Sequence, residues 1–216
     1  HPDLVVLVAT IKALKYHGGI DKEHILEENI EALDKGLNNL YHHIDNLKNK
    51  FGLNVIVAIN KYEQDTDREI EYLRKKLEEK DVELSLVEGY EKGGMGAIDI
   101  AEKIVKLNDK SNFNYMYDLS DSIEEKIEKI ATKIYGAKKV IYEEDAIKHI
   151  NKIRHLANNM PICIAKTQYS LSDDPKNLEC KDDYNITIRD VEIKNGAGFV
   201  VALAGKIMTM PGLPKV

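Results

Sequence analysis

Three short apolar runs punctuate the first half of the chain: residues 4–9 (LVVLVA), 53–59 (LNVIVAI) and 82–87 (VELSLV). Near-continuous apolar runs of this length suit strands buried on both faces of a parallel sheet. Between the first two, Leu26, Ile30, Leu33, Leu37, Leu40, Ile44, Leu47 and Phe51 recur at spacings of four and three. That is a single apolar stripe along one long helix, with Gly52 placed to stop it. Residues 11–19 are expected as a loop ending at Gly18-Gly19. Thr66 and Glu69 have the spacing of a capping box and open a helix that buries Ile70, Leu73 and Leu77. Beyond the third run, Gly93, Gly94 and Gly96 lead into a helix carrying Ile98, Ala101, Ile104 and Val105 on one face. The alternation predicts an α/β fold with a partly parallel, Rossmann-like sheet flanked by helices, its post-strand loops all at one edge.

From residue 107 to 117 the pattern lapses into polar residues, which places a domain boundary there: residues 1–107 and 108–216. In the second part, Asp121 and Glu124 have capping-box spacing ahead of Ile123, Ile127, Ile130 and Ile134, and Gly136 ends that helix. Another helix over 143–156 is expected to bury Ile147, Ile150 and Ile153. Strands follow over 161–166, 184–193 and 198–204, giving a smaller α/β domain with a mixed sheet.

Composition narrows the class. Hydrophobic residues make up 43% and charged residues 31%, enough for a sizeable core. The net charge is -6 with no basic cluster, which argues against nucleic acid or an anionic membrane surface as partner. No apolar run approaches the roughly 20 residues a membrane span needs. No leader is expected, since His1 runs straight into a strand. Cys163 and Cys180 fit no metal-ligand spacing and read as reduced thiols of a cytoplasmic protein. The adjacent His42 and His43 point in different directions on a helix, so no metal site is expected. Both ends read as cuts in a longer chain.

Three loops are candidates for chemistry. Residues 60–66 (NKYEQDT) follow a buried strand, where ligands of open α/β sheets bind, and Tyr62 offers a flat ring for stacking on a heterocycle. A plain helix-capping loop is the competing reading. Residues 90–96 (YEKGGMG) can bring backbone N–H groups close to a ligand at a helix start, although they fit no phosphate-loop pattern and also suit a tight turn. Residues 165–175 (AKTQYSLSDDP) leave a strand as a dense polar run in which Lys166 could neutralise an anion; a structural loop is the alternative. No nucleophilic triad and no His-Glu-x-x-His is present.

Taken in order, these segments resemble formate–tetrahydrofolate ligase. The resemblance runs through residues 3–10 (DLVVLVAT), Ala13-Leu14-Lys15, His17-Gly18-Gly19, Glu28-Asn29, Ala32-Leu33, Val57-Ala58-Ile59-Asn60, Asp65-Thr66, Lys92-Gly93-Gly94, Ile134-Tyr135-Gly136, residues 165–175 and residues 208–215. It implies part of an ATP-dependent ligase that activates formate as formyl phosphate. The N10 amine of tetrahydrofolate then attacks, giving 10-formyltetrahydrofolate, ADP and phosphate. It further implies a cytoplasmic homotetramer, with ATP, magnesium and a monovalent cation bound elsewhere in the whole enzyme. The phosphate-binding loop lies upstream in the family, so this chain alone is expected to bind no such cofactor, to contribute no catalytic residue and to be inactive. Tyr62 and Tyr90 match the two aromatic positions that stack on the pterin, with Glu63 standing where the family usually has Pro. Lys92, Gly93, Gly94, Lys166 and Gln168 match positions near the pocket. A standalone, non-catalytic nucleotide- or ligand-binding module, or an assembly domain, is the alternative.

Overall fold

The computed structural model describes residues 2–107, 110–157, 159–179 and 183–206, which form two compact units, His1–Asn114 and Tyr115–Val216. The expected boundary at residue 108, Cys180 and the 208–215 segment lie outside the described residues.

In the first unit β1 (Leu4–Ala9), β2 (Asn54–Asn60) and β3 (Glu83–Val87) form one sheet in that order, all parallel. The apolar runs therefore become neighbouring parallel strands, as their pattern predicts, but β1 is not buried on both faces as expected: it is an edge strand with no buried residue, and Val8 is 64% exposed. One face carries the core: Val57 and Ile59 of β2 and Leu84 of β3 pack with Leu33, Leu37 and Leu40, Ile70, Leu73 and Leu77 from the helices.

Residues 11–19 are not the expected loop. Ile11–His17 is a helix, α1, whose first turn is capped by the Thr10 hydroxyl accepting from the Ala13 N–H at 3.1 Å. Ile11 and Leu14 are buried, and their spacing of three was legible but too short to claim a helix. The stripe that follows starts later than its first leucine. Helix α2 spans Ile30–Asp45 behind an Asn29 cap, and Leu26 is exposed. Gly36 lies inside α2 because α1 presses on it. A Cβ there would stand 1.8 Å from the Leu14 carbonyl oxygen.

Helix α3 (Asp67–Glu78) carries the predicted capping box, with Thr66 and Glu69 each bonded to the other's backbone. After β3 come a single turn, α4 (Gly89–Lys92), a 3-10 segment (Gly93–Ala97) and α5 (Ile98–Lys106). The apolar face expected on α5 is left open: no α5 residue is buried, and Ile98, Ile104 and Val105 are exposed. Residues 110–114 fold back onto the first unit, where the Asn112 and Asn114 N–H groups bond Gly52 and Phe51, and Phe113 stacks on Phe51.

The second unit holds a mixed four-stranded sheet: β4 (Val140–Tyr142), β6 (Ile186–Lys194), β7 (Phe199–Ala204) and β5 (Ile162–Ala165), in that spatial order. Only the β6–β7 pair is antiparallel, with a bulge between Ile188 and Asp190. Helices α6 (Ile123–Lys129) and α7 (Glu144–Ala157) supply Ile123, Ile127, Ala146 and Ile150 to its core. Two expectations need correction. The capping box of α6 is Ser122–Glu125, one residue later than Asp121–Glu124, because Asp121 Oδ2 is engaged by the Asp118 N–H at 2.9 Å. Ile147 is exposed, since Ala146 and Ile150 define the inward face of α7. Strand β4 is too short for its alternation to have been legible.

Candidate functional site

Parallel pairing brings the carboxyl ends of β1, β2 and β3 to one edge, so the segments leaving them meet. Lys12, on the helix after β1, sets its ammonium 4.1 Å from the ring centre of Tyr62, in the loop after β2. Lys61 of that loop donates its backbone N–H to Val87 at 3.0 Å and approaches the Glu88 carboxylate of the third loop at 3.6 Å.

The loop after β2 is held from within and from beneath. Asp65 Oδ2 accepts the Tyr62 N–H at 2.9 Å, and the Asp65 N–H returns to the Tyr62 carbonyl at 3.0 Å. This closes a tight turn behind the tyrosine. Asp65 is buried, and its carboxyl sits above the ordinary range because burial disfavours the charge, against the stabilising Tyr62 N–H. Just below, Lys15 and Glu69 form an ion pair at 2.9 Å with both side chains shut off from solvent, 1% and 0% exposed. Lys15 also donates to the Glu27 carbonyl at 2.7 Å, while Glu69 accepts the N–H groups of Asn29 at 3.0 Å and Thr66 at 3.2 Å. Burial alone would raise the Glu69 carboxyl; its Lys15, Asn29 and Thr66 partners outweigh this and hold it below the usual value. The pair thus ties α1, the segment before α2 and the start of α3 together under the loop. Tyr62 remains 42% exposed, with Lys12 on its ring. It lines a cleft of about 430 Å³ with Lys61, Glu63, Asp65, Glu88 and Glu91.

The loop after β3 is built on backbone contacts. The Glu88 N–H bonds the Gly96 carbonyl at 3.0 Å, and the Lys92 N–H bonds the Glu88 carbonyl at 3.0 Å. Gly96 is required by this closure, as a Cβ would lie 2.5 Å from the Glu88 carbonyl oxygen. Gly93 has φ +55°, which side chains avoid, whereas Gly94 has open space around it. Lys92 pairs with Glu88 at 2.6 Å, so its charge is directed to a carboxylate of its own loop. That contact, with the nearby Lys61, lowers the Glu88 carboxyl. Tyr90 stands fully exposed and does not line the cleft of Tyr62.

Lys166 and Gln168 belong to the second unit. Lys166 donates to the carbonyls of Thr167, at 2.9 Å, and Ser170, and lies 4.9 Å from the Tyr135 ring centre. Burial pushes its ammonium down to about 8, opposed by Asp173. Gln168 is exposed. The Ser170 and Ser172 hydroxyls bond each other at 2.9 Å, and Asp173 accepts the Thr187 N–H at 2.8 Å. The polar run is thus a self-bonded loop anchored to β6.

The sequence reading passed over Lys12 and Glu88, and it named Lys15 only within a motif and Glu69 only as a capping residue. A signal for the two lysines existed: Lys12 and Lys15 are three apart, one helical turn, but only once residues 11–17 are read as a helix. Among the described residues no cluster of three or more His, Cys, Asp or Glu side chains could hold a metal, and no helix is long and apolar enough to cross a membrane.

Comparison with known proteins gives one consistent answer. The family model described as formate–tetrahydrofolate ligase matches residues 1–216. A formate–tetrahydrofolate ligase of Campylobacter concisus (strain 13826) is 48% identical over 217 residues, an alignment that covers 100% of this chain and 40% of that relative.

Proposed function

Because this chain belongs to the formate–tetrahydrofolate ligase family, we propose that it forms the part of such a ligase that presents the pterin of tetrahydrofolate to the reacting centre. The observation that carries this reading is the convergence of the β1, β2 and β3 loops on an exposed tyrosine, with Lys12 at 4.1 Å from the Tyr62 ring centre. A cation on one ring face leaves the other for a flat heterocycle, and stacking is the sequence-tolerant way to hold one. Tyr90, free on the neighbouring loop, is the second ring of the sandwich. Lys92, Gly93 and Gly94 shape the wall beside it.

In that enzyme a formate oxygen attacks the terminal phosphorus of ATP, forming formyl phosphate as ADP leaves. The N10 amine of the bound folate then attacks the formyl carbon of formyl phosphate, and phosphate leaves. We assign ATP and magnesium to parts of the enzyme outside this chain. It has no glycine-lysine phosphate loop, and its described residues offer no carboxylate cluster for a metal. Its role is binding and orientation, which is what a near-attack geometry requires. ATP, magnesium and a monovalent cation are held by other parts of a cytoplasmic tetrameric enzyme; nucleic acid and membranes are not partners.

The test pairs an assay with a titration. Supplied with ATP, formate and tetrahydrofolate, the purified chain makes no 10-formyltetrahydrofolate, while calorimetry with tetrahydrofolate detects binding that Tyr62→Ala removes. Turnover that survives rigorous removal of host ligase overturns the division of labour. Folate binding untouched by Tyr62→Ala overturns the site.

A further inference from the structure

The two outer strands of the first sheet are finished differently. Strand β3 carries Glu83 and Ser85 within its five residues, and Lys103 of α5 donates to the Leu84 carbonyl at 2.5 Å. Arg74, Glu78 and Asp81 stand alongside Lys103 in the groove at that strand. A charged, lysine-capped rim is how proteins prevent an edge strand from pairing further. Strand β1 has none of this. Its six residues are Leu, Val, Val, Leu, Val and Ala, and among the described residues no side chain caps its backbone.

That composition belongs to the middle of a sheet. Strand β2, apolar between its two terminal asparagines, has five of its seven residues buried, whereas β1 has none, and Val8 is 64% exposed. Parallel pairing with β2 uses only alternate peptide groups of β1, and the others point outward, where none of the described residues pairs with them. The face is unfinished as well. Val8 pairs in register with Ala58, which pairs with Ser85, and Ser85 bonds Asp99 of α5 at 2.6 Å. These residues lie on the face opposite the helix-covered core, and α5 lies over its β3 side with Ile98 and Val105 exposed.

We propose that β1 is an internal strand of a larger sheet, paired on its outer side with a parallel strand from the part of the ligase polypeptide that this chain does not include. The proposal rests on the family reading. The curated relative is covered over only 40% of its length, so the larger part of such a ligase is available to supply the strand. Parallel strands need crossovers, and a crossover helix packed over Val8 would cover the second face. A second copy of this chain is the competing occupant.

The experiment mixes this chain with the separately produced remaining portion of the Campylobacter concisus ligase. Affinity is measured by sedimentation, and amide hydrogen exchange is followed across residues 4–9. The expected result is a complex in which β1 amides become strongly protected, and Val8→Lys weakens association at least tenfold while Leu156→Lys, in the second unit, does not. Because Val8 is exposed, the variant should fold, and circular dichroism checks this. Complexes formed with β1 amides still exchanging freely, or equally well with Val8→Lys, overturn the proposal. So does a β1-linked dimer of this chain that persists beside the remaining portion. None of these readouts depends on folate binding, so failure here is distinct from failure of the pterin site.

Discussion

The loops after β2 and β3 leave the same edge of one sheet, and each presents a tyrosine, yet they are made by different means. The first is fixed by buried charge: Asp65 closes the turn, and the Lys15–Glu69 pair locks its base to two other segments. The second is fixed by backbone closure around glycine, with Glu88 paired to Lys92 of its own loop and to Lys61 of the first. Tyr62 is accordingly the less exposed of the two, with Lys12 against its ring, and Tyr90 stands fully exposed. A preorganised ring loses less freedom on binding than a free one. The pair thus combines a fixed platform with an adaptable cover.

The largest effect that could break this contrast lies at the base of the first loop. Glu69→Ala should cost about 3–5 kcal/mol, since it strands the Lys15 charge in the interior. Urea unfolding measures it, and Glu88→Ala in the second loop should leave the midpoint where it is. Similar midpoints for the two variants would erase the distinction.

Glycine should matter in the second loop, and only where the backbone closes. Gly96→Ala should cost about 1–3 kcal/mol by forcing Glu88 aside, whereas Gly94→Ala should stay within about 0.5 kcal/mol. Thermal melts of the two variants give the comparison.

In a full-length family ligase, Tyr62→Ala should weaken tetrahydrofolate binding by about 1–3 kcal/mol, the scale of stacking on an aromatic side chain. Tyr90→Ala should weaken it by less, because ordering that exposed ring offsets part of its contribution. Calorimetry that finds the larger loss at Tyr90 would invert the assignment of platform and cover.

The smallest effect is a pH dependence of opposite sign at two neighbouring carboxyls. Glu69 is held below its usual value of 4.5, so its contribution to stability is complete above that pH and is lost as pH falls through the folded value. Asp65 is held above 3.8, so the folded state binds its proton more tightly than the unfolded chain does, and stability falls as pH rises through the folded value. Relative to wild type, Asp65→Asn should therefore gain stability as pH rises from about 3 to about 7. Denaturation across that range would show the trend, and a constant difference would remove Asp65 from the account.

Much of this molecule was determined by the sequence alone. Apolar runs of strand length separated by helix-period stripes made β1, β2 and β3 parallel neighbours, because burying such runs on both faces needs helical crossovers. Thr66 and Glu69 announced the start of α3, since a capping box is a contact three residues long. The order of motifs, above all residues 165–175, carried the family. Tertiary structure decided what depends on residues far apart. Whether residues 11–17 coil as a helix was settled by α1 packing on Gly36 of α2. Glu69 spends its second role on Lys15, fifty-odd residues away in about the same turn of space, and periodicity cannot see that pairing. Lys12 reaches Tyr62 only because two parallel strands end at one edge. Local pattern fixes which elements form, since its forces act within a few residues. Burial and charge pairing fix what the elements do to each other, because those energies depend on distances that only the folded chain brings into being.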